Sequence, residues 1–317
     1  LFYNLYFGND KSIYIEQAES FSMVIAFLSG GLGNQMFQFA AAKALALKKS
    51  QELKLDISNY QNRQPGETIR EYELAKVFAG PFELATPADL KEILGWKFIF
   101  HQHPFLRRIL RKLPQIEQNW IVEPDFSYWP DFFNLQPNCL LEGYWQSNRY
   151  FEDFSEDIKE CFRFKMDSFS APEILESIEN SNSVSIHIRR GDYVTDKNTA
   201  GFHGICDADY YLKAIEMIKK KTTEPRFFVF SDDLGAAREL LKDLKNVFFV
   251  NANTADKSHF DMMLMSRCRH HIIANSTFSW WGAWLNDNHE KIVIAPERWF
   301  ASGLPDQDLV PKRWMRV

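Results

Sequence analysis

Two adjacent arginines close the run Ser185-Ile-His187-Ile-Arg189-Arg190-Gly191-Asp192-Tyr193. Residues 184–188 are of β character and lead straight into them. Arginine suits forked, charge-assisted hydrogen bonding to phosphate. At the carboxyl end of a buried strand it would project into the crevice where open α/β sheets bind ligands. The chemistry indicated is neutralisation of a diphosphate, and the competing role is a structural ion pair. Asp192 suits either a general base or a salt bridge that orients Arg190. His187 stands inside the apolar alternation, so it reads first as a core histidine and second as an acid or base.

Three further clusters carry chemistry. In Gly30-Gly31-Leu-Gly33-Asn34-Gln35 the glycines allow a tight turn and close approach of the backbone to a ligand. A helix start follows, which favours anionic groups. The turn lacks the third glycine of a dinucleotide fingerprint and the Lys-Ser/Thr of an NTPase loop, so its alternative is a plain strand–helix turn. In Asn275-Ser276-Thr277-Phe-Ser279-Trp280-Trp281 either Ser276 or Thr277 would cap a helix. Three hydroxyls are more than a cap requires, so this run reads as an anion cradle, against a capped aromatic core helix. Its tryptophans read as packing. Asp232 and Asp233 follow a third strand and suit the ribose or base of a nucleotide. Asp207-Ala-Asp209 and Asp306-Gln-Asp308 have Asp-x-Asp spacing, but with two arginines available a divalent metal is not required.

The elements that must hold these residues are legible in part. An apolar run at 24–28 predicts a buried parallel strand, 36–47 a helix, and 54–57 the next strand. Residues 60–130 lack a sustained period and predict short helices and loops that face an acceptor. A strand at 139–146, a helix at 150–162 and a linker at 165–171 follow. Beyond them, strands at 183–188, 226–230, 247–250, 271–274 and 292–295 alternate with helices at 207–220, 234–244, 260–268 and 277–285. That alternation predicts a doubly wound parallel sheet.

The chain of 317 residues has 45% hydrophobic and 15% aromatic residues, enough for two domains with real cores. Its net charge of -5 argues against a general nucleic-acid binder. The basic stretch Arg107-Arg108-Ile-Leu-Arg111-Lys112 reads as a solvated helix face, or else as a patch for an anionic membrane surface. The four cysteines form no Cys-x-x-Cys pair, which points to reduced thiols in a cytoplasmic protein. No apolar stretch reaches the length of a membrane span. Met23 reads as a natural start, with 1–22 an extension ahead of it.

Taken in order, Gly30–Gln35, His187–Tyr193 and Asn275–Trp281 resemble the bacterial α-1,2-fucosyltransferase family over nearly the whole chain from Met23. The stretch Asp261-Met-Met-Leu-Met-Ser266 resembles the family's segment before the third motif. The resemblance implies an α/β protein of GT-B type, with two Rossmann-like parallel-sheet domains facing a cleft. The boundaries expected are 23–168 on the acceptor side and 169–317 on the donor side, the last helix packing back on the first domain. It implies GDP-β-L-fucose as donor, with no further cofactor and no metal, and a galactose-terminated acceptor, lipid-linked in one version. That version brings a peripheral membrane contact. The reaction implied is inverting transfer to the galactose 2-OH. Arg190 and Arg189 are implied to hold the β-phosphate, Asn34 to lie near the reacting centre and Asp192 to be the candidate base. Gly31, Gly33, Gln35, His187, Asp232, Asp233, Asn275, Ser276, Thr277 and Ser279 are implied to surround the donor. A different nucleotide-sugar donor and a non-catalytic glycan-binding protein are the alternatives.

Overall fold

A computed structural model describes residues 3–7, 13–17, 22–61, 70–103, 106–107, 118–190, 204, 206–253 and 257–317, the first two segments by their backbone. Two parallel sheets organise them. The first has the order β4-β3-β6-β5, formed by β3 (Met23–Phe27), β4 (Glu52–Asp56), β5 (Trp120–Val122) and β6 (Cys139–Glu142). The second has the order β12-β11-β10-β7-β8-β9. It comprises β7 (Ser183–Ile188), β8 (Arg226–Ser231), β9 (Val247–Phe249), β10 (His270–Ile272), β11 (Val293–Ala295) and β12 (Met315–Arg316). Every pairing in both sheets is parallel. This is the two-sheet GT-B arrangement. Ahead of it, β1 (Tyr3–Phe7) and β2 (Ile13–Gln17) form an antiparallel pair that the reading of 1–22 did not foresee.

Sequence accounts for the central elements. β3 and β7 are buried at every residue, as expected of strands in a parallel sheet covered on both faces; β3 is a continuous apolar run, whereas β7 alternates polar and apolar residues. The helix Leu32–Lys49 begins earlier than predicted. Its alanines at 40–42, 44 and 46 are buried and let it approach its neighbours closely. Ser50 closes it in the left-handed conformation, and Lys48 and Lys49 complement the carboxyl end of its dipole.

Differences lie where the signal is short. The strand predicted at 139–146 ends at Glu142. The helix predicted at 150–162 is split into 3-10 turns and a short helix, Ser155–Cys161. The linker at 165–171 runs into the helix Pro172–Glu179, which uses proline in its first turn.

The largest core joins the two sheets. It contains Val24, Phe37 and Ala41 from the first and Ile273, Trp280, Trp281 and Val293 from the second. Trp299, Phe300, Leu309, Val310 and Trp314 from the carboxyl-terminal segment complete it.

Candidate active site

The three motifs meet at the start of the helix Thr277–Trp284. A Cβ on Gly33 would stand 2.6 Å from Thr277 Oγ1, 2.7 Å from the Thr277 carbonyl carbon and 2.9 Å from Phe278 N. Trp281 Nε1 donates to the Gly33 carbonyl oxygen at 2.9 Å. The ring of His187, near the tip of β7, is tilted against Phe278 with centroids 5.9 Å apart. Glycine turn, arginine strand and hydroxyl run thus surround one region between the sheets.

Within it the two arginines differ. Asp232 accepts the Arg190 backbone N–H at 2.8 Å, and its other oxygen is 3.3 Å from Arg189 Nε. One carboxylate therefore fixes both the strand tip and one guanidinium. The Arg190 guanidinium is half-buried and makes no hydrogen bond or ion pair among the described residues. Ser276 is the N-cap, yet its hydroxyl makes no capping bond. The Thr277 hydroxyl likewise makes no hydrogen bond among the described residues. The first N–H groups of a helix have no intrahelical acceptor. Arg190, two hydroxyls and these N–H groups are thus unspent donors, the set an anion requires.

Several expected donor contacts are occupied internally. Gln35 is fully buried. Its Nδ-equivalent amide nitrogen, Nε2, donates to the carbonyls of Gly30 at 3.2 Å and Glu71 at 2.7 Å, and Oε1 accepts from Glu73 N at 2.9 Å. It holds the turn and has no amide hydrogen left for a ligand. Asn275 is buried and ties the carbonyls of Gly204 and Trp299, each at 3.3 Å. Ser279 is buried and bonds back to the Ser276 carbonyl at 3.3 Å, within its own helix. Asp233 caps the helix Leu234–Leu240 through Ala236 N at 2.9 Å. His187 is buried, with no partner for Nδ1 among the described residues, and burial followed by the nearby Arg189 charge lowers its pKa to about 4. It is a neutral core imidazole. Gly191 and Asp192 lie outside the described residues.

The first sheet adds residues that motif reading passed over. Asn34 Oδ1 accepts from Gln146 Nε2 at 3.0 Å. Gln38, fully buried, joins Ser29 to the Gly143 carbonyl, both at 3.0 Å. Arg70 lies beside Gly31, where a Cβ would be 3.9 Å from the arginine side chain. Glu123 directly follows β5 and receives the N–H groups of Tyr144 at 2.6 Å and Trp145 at 2.9 Å. Burial pushes its pKa up to about 7, against the pull of those two donors. The basic stretch is not solvated at its first residue: Arg107 sits 4.3 Å over the Phe27 ring and 3.5 Å from Glu142 Oε1. The remaining residues of the basic stretch lie outside the described ones.

The Asp-x-Asp residues have other tasks. Asp207 caps its helix through Tyr210 N at 2.8 Å. Asp306 binds Arg316 at 3.0 Å and Trp299 N at 2.6 Å, and Asp308 binds Arg149 at 2.7 Å. Among the described residues, no three His, Cys, Asp or Glu side chains gather as a metal site.

Two parallel sheets thus meet at a seam that presents hydrogen-bond donors suited to an anion. The chain belongs to glycosyl transferase family 11, whose model matches residues 20–317. An alpha-1,2-colitosyltransferase of Escherichia coli is 35% identical, covering 93% of this chain and 99% of that one. The O-antigen biosynthesis glycosyltransferase WbnK, also from Escherichia coli, is 37% identical, covering 92% and 99%. The galactoside 2-alpha-L-fucosyltransferase Sec1 of Mus musculus is 23% identical, covering 81% and 63%. No helix among the described residues is long and apolar enough to cross a membrane.

Proposed function

We propose that this glycosyltransferase moves L-fucose from GDP-β-L-fucose to the 2-OH of a terminal galactose, with inversion to an α-1,2 linkage. The observation that carries the reading is the Arg190 guanidinium at the tip of β7, without a partner among the described residues, beside a helix start whose N-cap hydroxyl makes no capping bond. As the bond from fucose C1 to the phosphate stretches, negative charge grows on the β-phosphate. Donors fixed in advance at that position stabilise it without reorganising. The acceptor oxygen attacks the opposite face of C1 in the same displacement, which inverts the anomeric centre. Asn34, held by Gln146, stands on the acceptor side. Neither a metal nor a bound cofactor is needed for this step.

Arg190→Ala should lower turnover by about 10²–10³ with the fold retained, read as GDP release from GDP-fucose and lactose. Turnover equal to wild type would remove Arg190 from the mechanism. EDTA should leave the rate unchanged, and a rate restored only by Mn²⁺ would return the Asp-x-Asp residues to consideration.

Colitosyl transfer is the second reading, favoured by the Escherichia coli relative of that name. Donor competition separates the two. A lipid-linked O-antigen acceptor fits the relative WbnK, and a panel of galactose-terminated acceptors tests it.

A further inference from the structure

The carboxyl ends of β3, β6 and β5 lie side by side in the first sheet. β3 leads into the glycine turn, β6 into Gly143-Tyr144-Trp145-Gln146, and β5 into Glu123. The middle loop is clamped from both sides. Gln38 and Asn34 hold it through Gly143 and Gln146, and Glu123 holds it through Tyr144 and Trp145. Gly143 makes room for this: a Cβ there would collide with Glu123 Cβ and stand 2.7 Å from Oε2. The half-buried Glu123 is therefore one loop away from Asn34, with its carboxylate fixed by two N–H groups that leave each oxygen a further lone pair. Beside it Tyr144 is 38% exposed and stacks on Phe126 at 5.9 Å with planes 15° apart, and Phe126 in turn contacts Phe300 at 4.9 Å.

We propose that Glu123 receives the proton of the attacking acceptor hydroxyl and that the Tyr144–Phe126 stack seats the apolar face of the acceptor hexose. The inference rests on the transfer reading above and adds the acceptor half of the site. In the step, the acceptor O–H proton passes to a Glu123 oxygen. The acceptor oxygen bonds to the sugar C1, and the C1–O bond breaks with its electron pair leaving on the nucleoside diphosphate. Glu123 later releases the proton to water.

The groups that act on Glu123 are consistent with this task. Removal from water raises its pKa to about 7, the Tyr144 and Trp145 N–H groups oppose that rise, and Asp125 adds to it. Tyr150 also lies within electrostatic reach. A group with that pKa is about half ionised at neutral pH, so its carboxylate form is available there and takes up and releases a proton readily.

The test uses the full chain with GDP-fucose and lactose. Wild-type kcat/KM should rise with pH through about 7 and then level off. Glu123→Gln should lower kcat by about 10²–10⁴ and abolish that rise, while calorimetry shows GDP binding unchanged. Tyr144→Ala should raise the acceptor KM about tenfold with little change in donor KM. Wild-type turnover and pH profile in Glu123→Gln would overturn the proposal. A flat wild-type profile between pH 5.5 and 8.5, on the order of 1.5 units either side of the expected midpoint, would overturn it even if the glutamine variant failed to fold. Wild-type protein that binds no GDP would unseat the donor reading instead, and acceptor binding to wild type and Tyr144→Ala, followed by saturation-transfer NMR, would still decide the Tyr144 seat.

Discussion

Arg189 and Arg190 are the same residue one position apart, yet the fold gives them different work. Asp232 holds the first by its guanidinium and the second only by its backbone N–H. Among the described residues the Arg190 guanidinium has no ion-pair partner. His187, two and three residues before them, carries no charge at neutral pH. Its pKa is about 4 against an ordinary 6.5. The unfolded chain therefore takes up a proton as pH falls below 6.5, while the folded chain does not until about 4. The stability tied to this neutral ring is complete above pH 6.5 and is lost as pH falls toward 4. Linkage puts the loss at about 3 kcal/mol. His187→Phe has no proton to take up. The unfolding free energy of wild type relative to this variant should fall by about that amount between pH 7 and 4, measured by denaturant titration. A difference independent of pH would show that the imidazole is not held neutral.

At the scale of elements, the two glycines implied in donor binding are set apart by what surrounds them. Gly33 touches the backbone of Thr277 and Phe278 more closely than a Cβ allows, whereas the nearest atoms to a Cβ at Gly31, among the described residues, belong to the flexible Arg70 side chain at an ordinary distance. Gly33→Ala must push the helices Leu32–Lys49 and Thr277–Trp284 apart. It should cost about 1–3 kcal/mol and most of the activity. Gly31→Ala should leave the melting temperature within a degree or two (about 0.5 kcal/mol or less) and lower activity only if ligand approaches the backbone there. Equal melting temperatures for the two variants would contradict the assigned contact. This contrast was not legible in the sequence, because both glycines sit in the same turn. What was legible were strands with apolar runs, such as 23–27 and 227–230, or with apolar alternation, such as 183–188, and helices with a strong cap, such as Asp207 before Ala208–Lys221. The internal bonds of Gln35, Asn275 and Ser279 were not legible, because an amide or hydroxyl next to a site looks the same in sequence whether it faces a ligand or a carbonyl. β5 was missed because three residues give no periodicity, and Glu123 went with it.

For the whole molecule, the main consequence lies in the tryptophans. Domains joined by a linker commonly meet at modest, polar interfaces and move independently. Here Trp281 reaches from the second sheet's helix into the first, donating to Gly33 and stacking on Phe151 at 5.5 Å with planes 14° apart. Trp280 adds contacts to Phe37 at 4.4 Å and Trp314 at 5.3 Å. These side chains are fully or nearly fully buried, in one cluster with Val24 and Val310. Unfolding either half would open the core of the other, so the halves should unfold together. Trp281→Ala removes a large buried side chain and its hydrogen bond to the Gly33 carbonyl, at a cost of about 3–5 kcal/mol. In guanidinium chloride, wild type should show one transition with coincident fluorescence and far-UV circular dichroism. The variant should shift both signals by the same amount. A shift in one signal alone, or two separated transitions in wild type, would mean that each sheet keeps a core of its own. The seam that brings Gly33 against Thr277 would then be a movable contact. A single shared transition would instead make the spacing between glycine turn and hydroxyl run a property of the folded core, already set before any donor arrives.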